Sequence, residues 1–157
     1  SKVQLAICID KYRCMIEVED NGNGMSEETL KKVQDPFYTD GKKHASRKVG
    51  LGVPFVIQTV ELCNGSFDIV SEVGEGTRVR FSFDMDNVDT PPLGDMISAV
   101  VMLMAYPGNF DLRVSYKTDK GECAVSRSEL LEALDNLQDV SNINLAKAYI
   151  NGLIDEI

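Results

Sequence analysis

The chain has 157 residues, 43% of them hydrophobic and 26% charged, with a formal net charge of −9. Those figures describe one globular domain, or one with a small appendage, able to bury a core without staples. The acidic balance argues against nucleic acid as the main partner, since a phosphate backbone asks for a basic surface, and no apolar run reaches the ~20 residues of a membrane span.

Val3, Leu5, Ile7 and Ile9 alternate with Gln4, Ala6, Cys8 and Asp10, the period of a half-buried strand. A turn over 10–13 leads to a second strand, with Cys14, Ile16 and Val18 on one face. Ser26 as N-cap, Glu27 and Glu28 in a first turn and Lys31 and Lys32 in a last turn predict a short helix over 26–33. Residues 35–49 read as irregular. Val53, Val56, Ile57 and Val60 then recur at helical spacing, and Asn64-Gly65 ends that helix. Phe67 and Ile69 alternate with Asp68 and Val70. After the turn Gly74-Glu75-Gly76, Val79, Phe81 and Phe83 are expected inward and Arg78, Arg80 and Ser82 outward. The order β-β-α-loop-α-β-β favours an antiparallel sheet with helices on one face.

Residues 86–94 contain Asp89-Thr90-Pro91-Pro92, which cannot continue a strand, and read as a linker. Beyond it Asp95 caps an almost wholly apolar helix bearing Ile97, Val100, Val101 and Met104. Phe110, Leu112, Val114 and Tyr116 form a strand that turns at Asp119-Lys120-Gly121 toward Cys123 and Val125. Ser126 to Glu129 is a capping box opening a helix with Leu130, Leu131 and Leu134. A final helix carries Leu145, Tyr149, Leu153 and Ile157 as its apolar stripe. The chain therefore divides into 1–85, a linker at 86–94 and an α-β-β-α-α unit at 95–157, packed on the first.

Cys8, Cys14, Cys63 and Cys123 show no metal-ligand spacing and fit a reducing cytoplasm, while the single histidine, His44, excludes a histidine-based metal site. The start at Ser1-Lys2-Val3 shows no leader and points to a processed or trimmed end.

Four segments carry chemistry. In Glu19-Asp20-Asn21-Gly22-Asn23-Gly24-Met25, Asp20 at a strand end can accept a hydrogen bond from an exocyclic amine such as adenine N6. Gly22 and Gly24 would let backbone pass under a planar ring. Taken alone, the segment is equally an Asp-Gly turn. Asp35-Pro36-Phe37-Tyr38-Thr39 alone is a loop with an aromatic anchor. Val49-Gly50-Leu51-Gly52-Val53 opens a helix and offers its N–H groups to phosphate oxygens, or is merely a helix-entry turn. Just before it, residues 41–48 gather Lys42, Lys43, Arg47, Lys48 and His44, a cationic neighbour for polyphosphate in an otherwise acidic chain. Finally Gly74-Glu75-Gly76-Thr77 is a plain hairpin turn, or one that lets Thr77 hydrogen-bond near an adenine, directly or through water.

Taken in this order and spacing, the four segments resemble the G1, F, G2 and GT motifs of the GHKL (Bergerat-fold) histidine-kinase-like ATPases, across residues 1–84. The resemblance implies an α+β fold: a two-layer α/β sandwich of the histidine-kinase ATPase type, followed here by the small C-terminal unit. It implies ATP with Mg²⁺. Asp20 would read adenine, Gly22, Gly24 and Met25 would form the G1 turn, and Phe37 the F-box aromatic. Lys43, Gly50, Leu51 and Gly52 would lie at the phosphates under a lid of residues 38–49, with Thr77 near the base. Family members carry an Mg²⁺-binding Asn, and often an acidic general base, on a helix before the first strand. Both are therefore expected upstream of Ser1, no catalytic residue is assigned, and hydrolysis by this chain alone is expected near background.

Residues 88–95, after the last ATPase strand, resemble small ATP-binding proteins encoded beside iron hydrogenases in anaerobic bacteria. Two functions follow: an ATPase or protein kinase once its upstream helix is supplied, or a non-catalytic adenine-nucleotide sensor that docks a protein partner or a second copy through 95–157. A compact serine kinase of anti-sigma type is disfavoured by the appended unit. Neither nucleic acid nor membrane is an expected partner.

Overall fold

The computed structural model describes residues 1–35 and 51–157. Its strands are β1 (Lys2–Ile9), β2 (Arg13–Asp20), β3 (Ser66–Glu72), β4 (Gly76–Asp84), β5 (Asp111–Lys117) and β6 (Glu122–Ser126). Its helices are α1 (Glu27–Lys32), α2 (Gly52–Leu62), α3 (Met96–Ala105), α4 (Arg127–Leu134) and α5 (Val140–Asp155). The described strands form one sheet in the order β3-β4-β2-β1-β5-β6. Every pairing is antiparallel except β1 with β5, which runs parallel from Lys2↔Asp111 to Cys8↔Lys117. Strands from either side of residues 86–94 therefore share a continuous ladder.

Period-two alternation decides what each face carries. Ile69, Val79, Val18, Leu5, Val114 and Val125 stand in cross-strand register, an aliphatic row across the whole sheet. The opposite face is polar, and there Arg80 pairs with Glu17 at 2.6 Å. On the apolar face Val100, Val101 and Met104 of α3, Leu130 of α4 and Ala146 and Ile150 of α5 close the core over Ile7, Leu112, Val114 and Val125. The result is a mixed α+β architecture, one six-stranded sheet among the described residues with helices closing its apolar face.

Local signals act where expected. The Asp95 carboxylate accepts from Ser98 N–H at 2.9 Å, and the Ser126/Glu129 capping box is complete. After α2, Asn64 takes the left-handed conformation (φ 50°) and Gly65 N–H donates back to Val60 O at 2.7 Å. No described helix is long and apolar enough to cross a membrane.

Ser82 shares the face of Arg78 and Arg80, as alternation requires, but is buried there: its side chain is small, it lies between Met15 and Ser66 in register, and its hydroxyl meets Ser66 Oγ at 2.8 Å. One expectation fails. On α5 the stripe is rotated. Leu145 and Tyr149 are more than half exposed, while Ala146 and Ile150 are buried. The small Ala146 belongs to the side that meets α3, and close helix approach favours a small residue there over the larger Leu145. Leu153 and Ile157 do pack on the core.

Candidate functional site

Asp20 ends β2, Thr77 lies opposite it on β4, and Ser71 lies opposite Thr77 on β3. Alternation puts all three on the helix-bearing face, two residues beyond Val18, Val79 and Ile69. A polar row thus rims the apolar one. Asp20 Oδ1 accepts the Gly22 N–H at 2.7 Å, which fixes the carboxylate, and its other oxygen has no partner among the described residues. Ser71 Oγ sits at the centre of a small network with Met25 N–H (2.9 Å), Gly76 O (2.8 Å) and Thr77 Oγ1 (2.9 Å).

Glycines hold this arrangement by close approach. Gly24 has φ +61°, and a Cβ there would stand 1.8 Å from Glu72 O. Gly76 has φ +122°, and a Cβ would stand 1.9 Å from Asp20 O. The loop after β2 and the β3–β4 hairpin are thus interlocked, with Gly74 N–H donating to Asn23 O at 2.9 Å. The space reserved by Gly24 and Gly76 is used by the protein's own backbone. Gly22 differs, since a Cβ on it would press within 2.5 Å of the Asp20 Oδ1 it holds.

Leu51 is the exposed N-cap of α2, without a side-chain cap, and Gly52 opens the helix with nothing within 4 Å of a notional Cβ. First-turn N–H groups left without a side-chain cap suit an anion. Phe37, Lys43 and Gly50, and residues 38–49 as a whole, lie outside the described residues. Asp20, Gly22, Gly24, Met25 and Thr77 are brought together. Ser71 was missed by sequence reasoning, though a hairpin turning on Gly74 pairs position 71 with 77, which was its available signal.

Residues 1–87 match the family model described as histidine kinase-, DNA gyrase B-, and HSP90-like ATPase. The sensor histidine kinase YxdK of Bacillus subtilis (strain 168) is 36% identical over 83 residues, which is 52% of this chain and 26% of that protein. The sensor histidine kinase SpaK of Bacillus subtilis is 37% identical over 71 residues, 45% of this chain and 16% of that protein. Sporulation kinase C of Bacillus subtilis (strain 168) is 38% identical over 63 residues, 40% of this chain and 14% of that protein. The chain thus spans about a quarter of the first of these relatives and less of the other two.

Proposed function

We propose a specific nucleotide-binding role for this chain, which belongs to the histidine kinase-, DNA gyrase B- and HSP90-like ATPase family through residues 1–87. The chain binds ATP as histidine kinases do, with Asp20 accepting the adenine amine and Thr77 beside it. The observation that carries this reading is the Asp20 carboxylate, pinned through one oxygen by Gly22 N–H and without a partner among the described residues at the other. A pinned acceptor needs no reorganisation when an amine arrives, so it selects adenine over a base bearing a carbonyl at that position. In this reading the phosphates fall to Gly50, Leu51, Gly52 and Lys43 and the F-box role to Phe37, as the family resemblance implies.

The described residues fit the base end of ATP. No group of three or more His, Cys, Asp or Glu stands together among them to hold a metal. Magnesium typically keeps several waters and takes only one or two protein oxygens beside the phosphates, so ATP can still arrive with its ion. In a longer protein the reaction would be phosphoryl transfer of the histidine-kinase class, and the role of this chain's residues is to orient the nucleotide.

A second reading, nucleotide sensing coupled to a protein partner, draws support from α3, where Met102 and Leu103 and the following Tyr106 are exposed at 70%, 51% and 67%. Calorimetric titration with ATP, ADP and GTP tests the nucleotide proposal. ATP and ADP should bind at least about tenfold more tightly than GTP, a difference of ~1.4 kcal/mol. Equal GTP binding, or no binding of ADP, would defeat it. Hydrolysis or phosphotransfer by the same protein would favour the kinase over the sensor.

A further inference from the structure

We propose that Ser71 sets the direction of the Thr77 hydroxyl and through it the purine specificity of the site, an inference that rests on the nucleotide reading above. A serine hydroxyl has one hydrogen to give and two lone pairs to offer. Met25 N–H can only donate and Gly76 O can only accept. Ser71 therefore spends its hydrogen on Gly76 O (2.8 Å) and one lone pair on Met25 N–H (2.9 Å). Its remaining contact, Thr77 Oγ1 at 2.9 Å, must then use the hydrogen of Thr77. With that hydrogen turned toward β3, the Thr77 oxygen presents only lone pairs elsewhere.

Asp20 lies next to Thr77 in register and, when ionised, is an acceptor only. Asp20 and Thr77 therefore offer two adjacent acceptors and no donor between them. Adenine meets them with its amine. Hypoxanthine and guanine would bring a carbonyl against them, leaving lone pairs facing lone pairs. Ser71 acts here as a positioning residue: it need not touch the base, and its effect runs through a hydroxyl that would otherwise rotate to suit either purine.

The test titrates the full chain with ADP and with inosine diphosphate, which differ only in the purine ring. Wild type should prefer ADP. Ser71→Ala should narrow that preference by roughly tenfold, the order of one mismatched hydrogen bond, because Thr77 becomes free to donate. Ser71→Thr, which keeps the hydroxyl, should restore the preference. Adding Thr77→Val to Ser71→Ala should abolish the gain in inosine diphosphate binding. If Ser71→Ala weakens both ligands in equal proportion, Ser71 only anchors Met25 and the inference falls while the nucleotide reading stands. Narrowing that persists in the double variant overturns it as well, since the effect would not run through Thr77. Should wild type bind neither ligand, the nucleotide reading fails and takes this one with it.

Discussion

Gly76 and Asp20 approach so closely across the β2–β4 ladder that a Cβ on Gly76 would stand 1.9 Å from the Asp20 carbonyl oxygen. The φ of Gly76, +122°, is one that L side chains rarely adopt. Gly76→Ala must therefore separate the strand ends or twist the hairpin. We expect a loss of at least about 3 kcal/mol in folding stability, read by urea unfolding, together with loss of ADP binding. A variant that melts like wild type would show the turn to be far softer than its geometry implies.

Asp20→Asn separates pinning from recognition. The Asn carbonyl can still accept the Gly22 N–H, so the turn is kept, while the second oxygen becomes an amide donor. Thermal stability should stay close to wild type. ADP affinity should fall by about 1.5–3 kcal/mol, the worth of a charged hydrogen bond. Calorimetry on the folded variant checks both, and undiminished ADP binding would remove Asp20 from the site.

Much of this was legible because the signals are local. Alternation in residues 3–9 and 14–18 decides which face of the sheet is buried, and Asp95, Ser126 and Asn64 mark helix ends through bonds within a few residues. What escaped depends on neighbours distant in sequence. Nothing near Ala146 says that α3 will pack there rather than on Leu145, and both stripes have helical spacing. The parallel pairing of β1 with β5 joins residues more than a hundred apart. Gly22 and Gly24 were read as letting backbone pass under a planar ring, whereas the close approach of Gly24 to β3 and of Gly76 to β2 depends on strands that only the folded sheet brings together.

Arg127 opens α4, a position where the helix dipole disfavours a cation. Its guanidinium instead serves the end of α3, donating to Met104 O at 2.7 Å, Phe110 O at 3.0 Å and Tyr106 O at 3.5 Å, while stacking 4.6 Å from the Phe110 ring centre. The last turn of α3 has no basic residue of its own. Arg127→Lys keeps the charge but not the planar fork. We expect it to cost about 2 kcal/mol in urea unfolding, and Arg127→Ala more. A change within about 0.5 kcal/mol would class the contact with ordinary surface positions.

The α4 capping box makes stability pH-dependent in a definite direction. Ser126 N–H donates to Glu129 Oε2 at 2.8 Å, and this bond, with that to the Ser126 side chain, holds the Glu129 carboxyl below its ordinary 4.5. A depressed folded pKa means stability that is present above the unfolded value and lost as pH falls through the folded one. Glu129→Gln keeps an acceptor without the charge. It should be less stable than wild type at about pH 7, by a margin that shrinks at about pH 3. Unfolding curves at the two pH values check this, and a deficit undiminished in acid would contradict it. Ser126→Ala should cost about 1 kcal/mol through the lost cap.

Tyr116 points its ring into the core at 5% exposure, and its hydroxyl finds no hydrogen-bond partner among the described residues. Burial, with smaller contributions from Cys123 and Asp95, pushes its pKa up to about 12 from the ordinary 10.0. The neutral phenol is what the fold accommodates, so its contribution is fully present below pH 10.0 and is lost as pH rises toward and through 12. A phenolate absorbance titration should show a transition near pH 12 that Tyr116→Phe removes. Tyr116→Phe fills the same space and removes an unsatisfied polar group. It should leave stability at neutral pH unchanged or raise it by up to about 1 kcal/mol, and flatten the alkaline decline. A loss greater than about 2 kcal/mol would mean that the hydroxyl has a strong partner, such as a buried water, and that its orphan state is wrong.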